Sequence, residues 1–170
     1  SFARANLSYA VRHTDDKGEQ LLRVIENVKG SGIVYMRSRE GCEQLCETLR
    51  NQGISASYYH AGLPHAERSM RQEEWTSGKV RVMVATNAFG MGIDKADVRF
   101  VVHYAMCDSL EAYYQEAGRA GRDGARSYAV LLTSNDDAEH IVRLFKAEFP
   151  PLADKELPDF FSEQAGKKNL

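Results

Sequence analysis

The sequence predicts an α/β fold with a mostly parallel sheet covered by helices on both faces. Three observations carry that prediction. Short apolar runs such as 32–36 and 80–85 lack the polar alternation of a half-exposed strand, which suits a sheet buried on both sides. Amphipathic segments of helical period separate them, long enough to cross from one parallel strand to the next. Glycine and proline fall at the joints: Gly53 and Gly78 stand where helices stop, and Pro64 where one starts.

Taken in order, residues 7–12 read as a short strand and 17–28 as a helix with Leu21, Leu22, Ile25 and Val28 on its apolar side. A strand over 32–36 leads to a helix over 40–52, whose inner face is Cys42, Leu45, Cys46 and Leu49. Gly53 is its C-cap. Residues 54–60 form the next strand, and a helix runs from Pro64 to about Thr76. The run 80–85 is a strand, 86–94 a loop and 99–104 another strand. Ser109 or Asp108 then caps a helix that ends in a glycine-rich turn. A strand at 128–132 and a helix at 136–148 complete a domain over 1–148. Pro150-Pro151 stops that helix, and 149–170 is polar except for Leu157, Phe160 and Phe161. This last segment is a linker, the start of a following module or an artificial end.

A chain of 170 residues suffices for one α/β domain with its own core. Its composition, 43% hydrophobic and 27% charged, is that of an ordinary globular protein. No apolar run approaches membrane-spanning length and no signal-peptide pattern opens the chain, so the expected setting is cytoplasmic or nuclear rather than secreted. The three cysteines, Cys42, Cys46 and Cys107, form no CxxC pair, which fits a reducing compartment. A net charge of −2 argues against a protein that coats nucleic acid non-specifically, though it leaves room for a local basic groove. Arginines do cluster, at Arg37 and Arg39, at Arg68 and Arg71, and at Arg119, Arg122 and Arg126. Each cluster alone reads first as a solvated face.

The most informative stretch is Tyr113-Tyr114-Gln115-Glu116-Ala117-Gly118-Arg119-Ala120-Gly121-Arg122-Asp123-Gly124. Two arginines three residues apart stand in a glycine turn, and guanidinium forks there suit bidentate contact with phosphate oxygens. A helix C-cap with solvated arginines is the simpler reading of the same residues. The loop Thr86-Asn87-Ala88-Phe89-Gly90-Met91-Gly92-Ile93-Asp94-Lys95 follows a strand, where open parallel sheets bind ligands. Its Gly-x-Gly has no third glycine at the spacing of a dinucleotide fingerprint. No Gly-x-x-x-x-Gly-Lys-Ser/Thr occurs, so the chain carries no phosphate loop of its own. The acidic run Asn135-Asp136-Asp137 reads as a helix N-cap rather than a magnesium box. Cys42 and Cys46 with His60 make a nominal zinc set. Both cysteines fall on an apolar helix face, where they behave as small hydrophobes, so no metal site is expected.

Three stretches in this order resemble the second RecA-like domain of superfamily-two helicases, the RecQ family in particular. Residues 32–39, followed by Tyr59-His60-Ala61-Gly62-Leu63, resemble motif IV. Residues 84–95, running on into Asp97-Val98-Arg99-Phe100-Val101-Val102-His103, resemble motif V, and Tyr113 to Gly124 resembles motif VI. The resemblance implies a RecA-like three-layer sandwich and an ATP-dependent DNA helicase of 3′–5′ polarity acting in repair and recombination. ATP and Mg2+ would be held mainly by a first RecA-like domain, with none bound by this chain alone. Arg122 would be the arginine finger with Arg119 its support, and Gln115, Gly92 and Asp94 would line the ATP side. Ser38, Arg39, Thr86, Asn87 and His60 would follow the backbone of one DNA strand. The implied partners are single-stranded and forked DNA and the first RecA-like domain, with the chain itself monomeric and off the membrane.

The chain departs from the family pattern at Ala5 and Ala96, where proline is usual, and no cysteine follows Cys107 to build the zinc module often found after this domain. Two other classes stay open at this point: a non-catalytic nucleic-acid-binding adaptor and a small-molecule nucleotide-binding protein. The same domain from an RNA helicase is a nearer alternative.

Overall fold

In the computed structural model, the described residues are 4–135 together with Asp137, Val142, Arg143 and Lys146. They form ten elements: β1 (Leu7–His13), α1 (Lys17–Asn27), β2 (Ser31–Tyr35), α2 (Arg39–Asn51), β3 (Ala56–Tyr59), α3 (His65–Thr76), β4 (Val82–Ala85), β5 (Val98–His103), α4 (Leu110–Ala117) and β6 (Ser127–Thr133). The helix expected over 136–148 lies mostly outside the described residues, and the tail 149–170 wholly so. Asp137, Val142, Arg143 and Lys146 are helical.

The six strands pair in the order β1-β6-β5-β2-β4-β3, and every pairing is parallel. Alternate residues along each strand feed opposite faces, as a pleated strand requires. Ile33, Tyr35, Met83, Ala85, Val101 and Leu131 pack on one side with Trp75 of α3 and with Leu110, Tyr113 and Ala117 of α4. Val34, Val82, Val84, Phe100, Val102 and Leu132 pack on the other with Leu21 and Ile25 of α1 and with Cys42, Cys46 and Leu49 of α2. The result is a three-layer sandwich, the sheet covered on both faces that the apolar runs predicted. Gly32 is fixed by close packing, because a Cβ there would overlap the Phe100 ring.

Two strands begin later than the sequence suggested, for the same reason. Ile54 closes the end of α2 instead of opening a strand: Gly53, at φ +79°, donates its N–H to the Arg50 carbonyl, and the Ile54 N–H bonds to the Leu49 carbonyl. This is the Schellman pattern. Val80 likewise donates to the Glu74 carbonyl of α3, so β4 starts at Val82. Arg81 has a role that periodicity cannot show. Its guanidinium donates to the carbonyls of Ile25, Val28 and Gly30, covering the open end of α1. Burial pushes its pKa below the usual arginine range.

Candidate functional site

The residues singled out above fall into two groups, joined by the loop between β4 and β5. One group stands at the carboxyl ends of β2, β3 and β4. Ser38 is exposed and caps α2, its Oγ accepting the Gly41 N–H at 2.9 Å. Its own hydroxyl hydrogen is left to donate. Arg39 is exposed, with its guanidinium beside Gly62 and no hydrogen bond or ion pair to any described residue. Asn87 is exposed at the head of its loop.

Thr86 and His60 are placed differently from these. Thr86 is buried at the end of β4; its backbone N–H bonds to the Tyr59 carbonyl and its carbonyl accepts from Phe89. His60 is 5% exposed and its ring stacks on Tyr58. The Gly62 N–H donates to Nδ1 at 3.1 Å, so the ring proton sits on Nε2, which reaches the Glu43 carboxylate at 3.0 Å. Both nitrogens are thus committed to holding the β3–α3 turn, and a nucleic-acid contact by His60 would have to break one of these bonds.

The second group gathers around the glycine turn after α4. The Gly121 N–H bonds to the Val98 carbonyl and the Asp123 N–H to the Ala96 carbonyl, which pins the turn against the start of β5. Asn6 donates to the Gly121 and Ala125 carbonyls from the other side, and Arg99 pairs with Asp123. That arginine, together with the Ala125 N–H, holds the Asp123 carboxyl below its usual range. Gly121 itself is at φ +72°, where a side chain would be strained. On this fixed turn Arg122 is exposed and bonds to no described residue. Gln115 and Asp94 are exposed, and Gly92, at φ +77°, faces open space.

Arg119 does the joining. Its Nη1 donates to the Gly90 carbonyl, and a Cβ on Gly90 would overlap the guanidinium. Tyr35 bonds to the neighbouring Phe89 carbonyl at 3.1 Å, and Phe89 packs its ring against Tyr59 and Trp75. Lys95 is not a free cation: it pairs with Asp97 at 3.0 Å and donates to the Thr76 carbonyl. Arg37 is likewise occupied, bonding to the Met106 carbonyl and pairing with Asp108.

One cluster had no signal in the sequence. His103, Cys107 and Glu116 meet beside a cavity of about 310 Å3 at the carboxyl ends of β2 and β5. They come from a strand, a loop and a helix, so no local spacing marks them. Cys42 and Cys46, by contrast, are fully buried, and burial first, then the Glu43 charge, pushes the Cys42 thiol up to about 12.

The chain matches the model of the helicase conserved C-terminal domain over residues 16–124. It is 49% identical over 140 residues to the ATP-dependent DNA helicase hus2/rqh1 of Schizosaccharomyces pombe, covering 81% of this chain and 10% of that protein. It is 46% identical over 153 residues to the ATP-dependent DNA helicase RecQ of Pasteurella multocida, covering 88% of this chain and 24% of that protein. The chain therefore spans a quarter or less of the length of these relatives. In fold it is similar to the E. coli DEAD-box protein SrmB, crystallised with regulator of ribonuclease activity A, at a TM-score of 0.75 and 25% identity over 86% of this chain and 88% of that one. The matched motifs, the all-parallel six-stranded sheet and these similarities lead to one statement: the chain belongs to the helicase conserved C-terminal domain family and is homologous to RecQ-type ATP-dependent DNA helicases.

Proposed function

We propose that this domain is the motor half of a 3′–5′ DNA helicase, supplying an arginine finger and part of a single-strand DNA track. The observation that carries the reading is the state of Arg122: an exposed cation, bonded to no described residue, on a turn pinned from both sides. Such a group is preorganised for an anion delivered from outside the domain. Its natural target is the transferring phosphoryl group of ATP held with Mg2+ by a first RecA-like domain. An arginine inserted there is worth about 10³–10⁵ in rate in related phosphoryl-transfer systems. Arg119 positions rather than reacts, because its guanidinium is committed to the Gly90 carbonyl. Gln115, Gly92 and Asp94, all exposed, are assigned to the nucleotide face by the motifs they stand in.

Ser38, Arg39 and Asn87 form the DNA track, with Thr86 and His60 shaping the loops that present them. Contacts of this kind fall on sugar and phosphate and carry no sequence information, which suits a motor that must move along any sequence. They also reconcile DNA binding with a net charge of −2. The protein's place of work is wherever DNA is kept, the nucleoid or the nucleus, in repair and recombination.

The test compares ATP hydrolysis by the chain alone with hydrolysis by the chain joined to a phosphate-loop domain, each with single-stranded DNA and with RNA. The expected result is no turnover by the chain alone, and DNA-stimulated turnover with 3′–5′ unwinding by the joined protein. Stimulation by RNA in preference to DNA would assign the domain to an RNA helicase. Salt-dependent DNA binding without turnover in either form would favour an adaptor.

A further inference from the structure

The cluster at the end of β5 is unused by the motor reading, and its chemistry is that of a metal site. His103 Nε2 lies 2.9 Å from Glu116 Oε1, and Cys107 Sγ lies 3.0 Å from the same oxygen. One ligand atom from each of the three residues falls within 4.8 Å of the others. Around a tetrahedral zinc, bonds of about 2.0–2.3 Å place neighbouring ligands roughly 3.3–3.8 Å apart. The observed spacings bracket that range, so coordination needs only small side-chain adjustments. His103 and Glu116 are buried and the cavity borders all three residues. Imidazole, thiolate and carboxylate together make a donor set for a borderline-soft divalent cation rather than for magnesium or calcium.

His103 Nδ1 is buried and without a partner among the described residues, so no second contact fixes the ring's tautomer and Nε2 can give up its proton to take a cation. Glu116 Oε1 meanwhile receives both of the other groups. We propose that His103, Cys107 and Glu116 form a three-ligand site for a zinc-type cation, with its fourth position open to the cavity. On binding, the Cys107 S–H bond breaks, the proton passes to solvent and an Sγ–metal bond forms. The ring proton of His103 moves to Nδ1 as Nε2 coordinates, and nothing is oxidised or reduced. The metal ties the end of β5 to α4 between Gln115 and Arg119, and so holds the helix that leads into the arginine turn. The proposal does not depend on the motor reading, because metal binding is read on the chain itself.

The test is titration of the reduced, metal-free 170-residue chain with Co2+ as a spectroscopic probe. The expected result is a 1:1 complex with a near-ultraviolet sulfur-to-cobalt charge-transfer band, displaced by one equivalent of Zn2+. Cys107→Ser should remove the band and Cys46→Ser should leave it. Glu116→Gln should weaken Co2+ binding by more than the roughly 10- to 100-fold that loss of an outer partner costs. No band in the unaltered chain, a band surviving Cys107→Ser, or one lost with Cys46→Ser would overturn the proposal. X-ray absorption of the zinc-loaded unaltered chain needs no variant: one sulfur per zinc supports the site, and none or two refutes it.

Discussion

Arg119 Nη1 donates to the carbonyl oxygen of Gly90 at 2.5 Å, tying the turn after α4 to the loop after β4 across 29 positions of sequence. That bond joins the glycine turn directly to the β4–β5 loop. It also explains Gly90, whose φ of +138° and missing side chain leave room for the guanidinium.

Gly90→Ala should therefore destabilise the domain, by about 1–3 kcal/mol for backbone strain of this kind, and loosen the arginine turn. Urea unfolding of the 170-residue chain measures it. Gly92→Ala is a useful comparison, because Gly92 shares a positive φ but faces open space. A larger loss at Gly92 than at Gly90 would contradict the role given to Arg119.

His60→Ala should act on stability first. Removing a buried ring that stacks on Tyr58 and bonds to Glu43 and the Gly62 N–H costs about 0.5–3 kcal/mol. Asn87→Ala, at an exposed position, should leave the unfolding midpoint unchanged within about 0.5 kcal/mol and weaken single-stranded DNA binding instead. Fluorescence anisotropy beside a denaturation curve separates the two effects. A DNA defect in His60→Ala at full stability would return that residue to the track.

Gly32→Ala tests the packing of the sheet. The added methyl meets the Phe100 ring in the core beside β2, and overpacking at such a site costs about 1–3 kcal/mol. A midpoint equal to that of the unaltered chain would mean that Phe100 can move aside.

Acid should loosen the arginine turn. The Asp123 carboxyl, bonded to Arg99 and the Ala125 N–H, is held below its ordinary value of 3.8. A carboxyl with a lowered folded-state pKa contributes stability above its unfolded value and loses it as pH falls through the folded one. The loss should therefore appear below about pH 4, and Asp123→Asn should flatten this part of the acid limb. An unchanged acid profile in that variant would remove Asp123 from the account.

Much of this was legible in the sequence because the sheet is buried on both faces. Predominantly apolar runs at 32–36 and 80–85 announce parallel strands, and Gly53 and Gly78 mark helix ends. Strand starts were less legible, because Ile54 and Val80 are β-formers recruited to close helices. The resemblance named candidate residues with roles, Arg122 as finger and Arg119 as its support, but not the contacts that hold them. That Arg119 bonds to the Gly90 carbonyl while Arg122 bonds to no described residue depends on where the β4–β5 loop lies in three dimensions. His103, Cys107 and Glu116 were invisible for a related reason, as their proximity depends on where α4 packs against β5.

The most direct measurement is single-turnover ATP hydrolysis by Arg122→Ala, in the domain joined to a phosphate-loop partner and saturated with single-stranded DNA. The account predicts ATP affinity within about twofold of the unaltered protein and a hydrolysis rate lower by about 10³-fold or more. Loss of binding and hydrolysis to the same extent, or hydrolysis left intact, would contradict it.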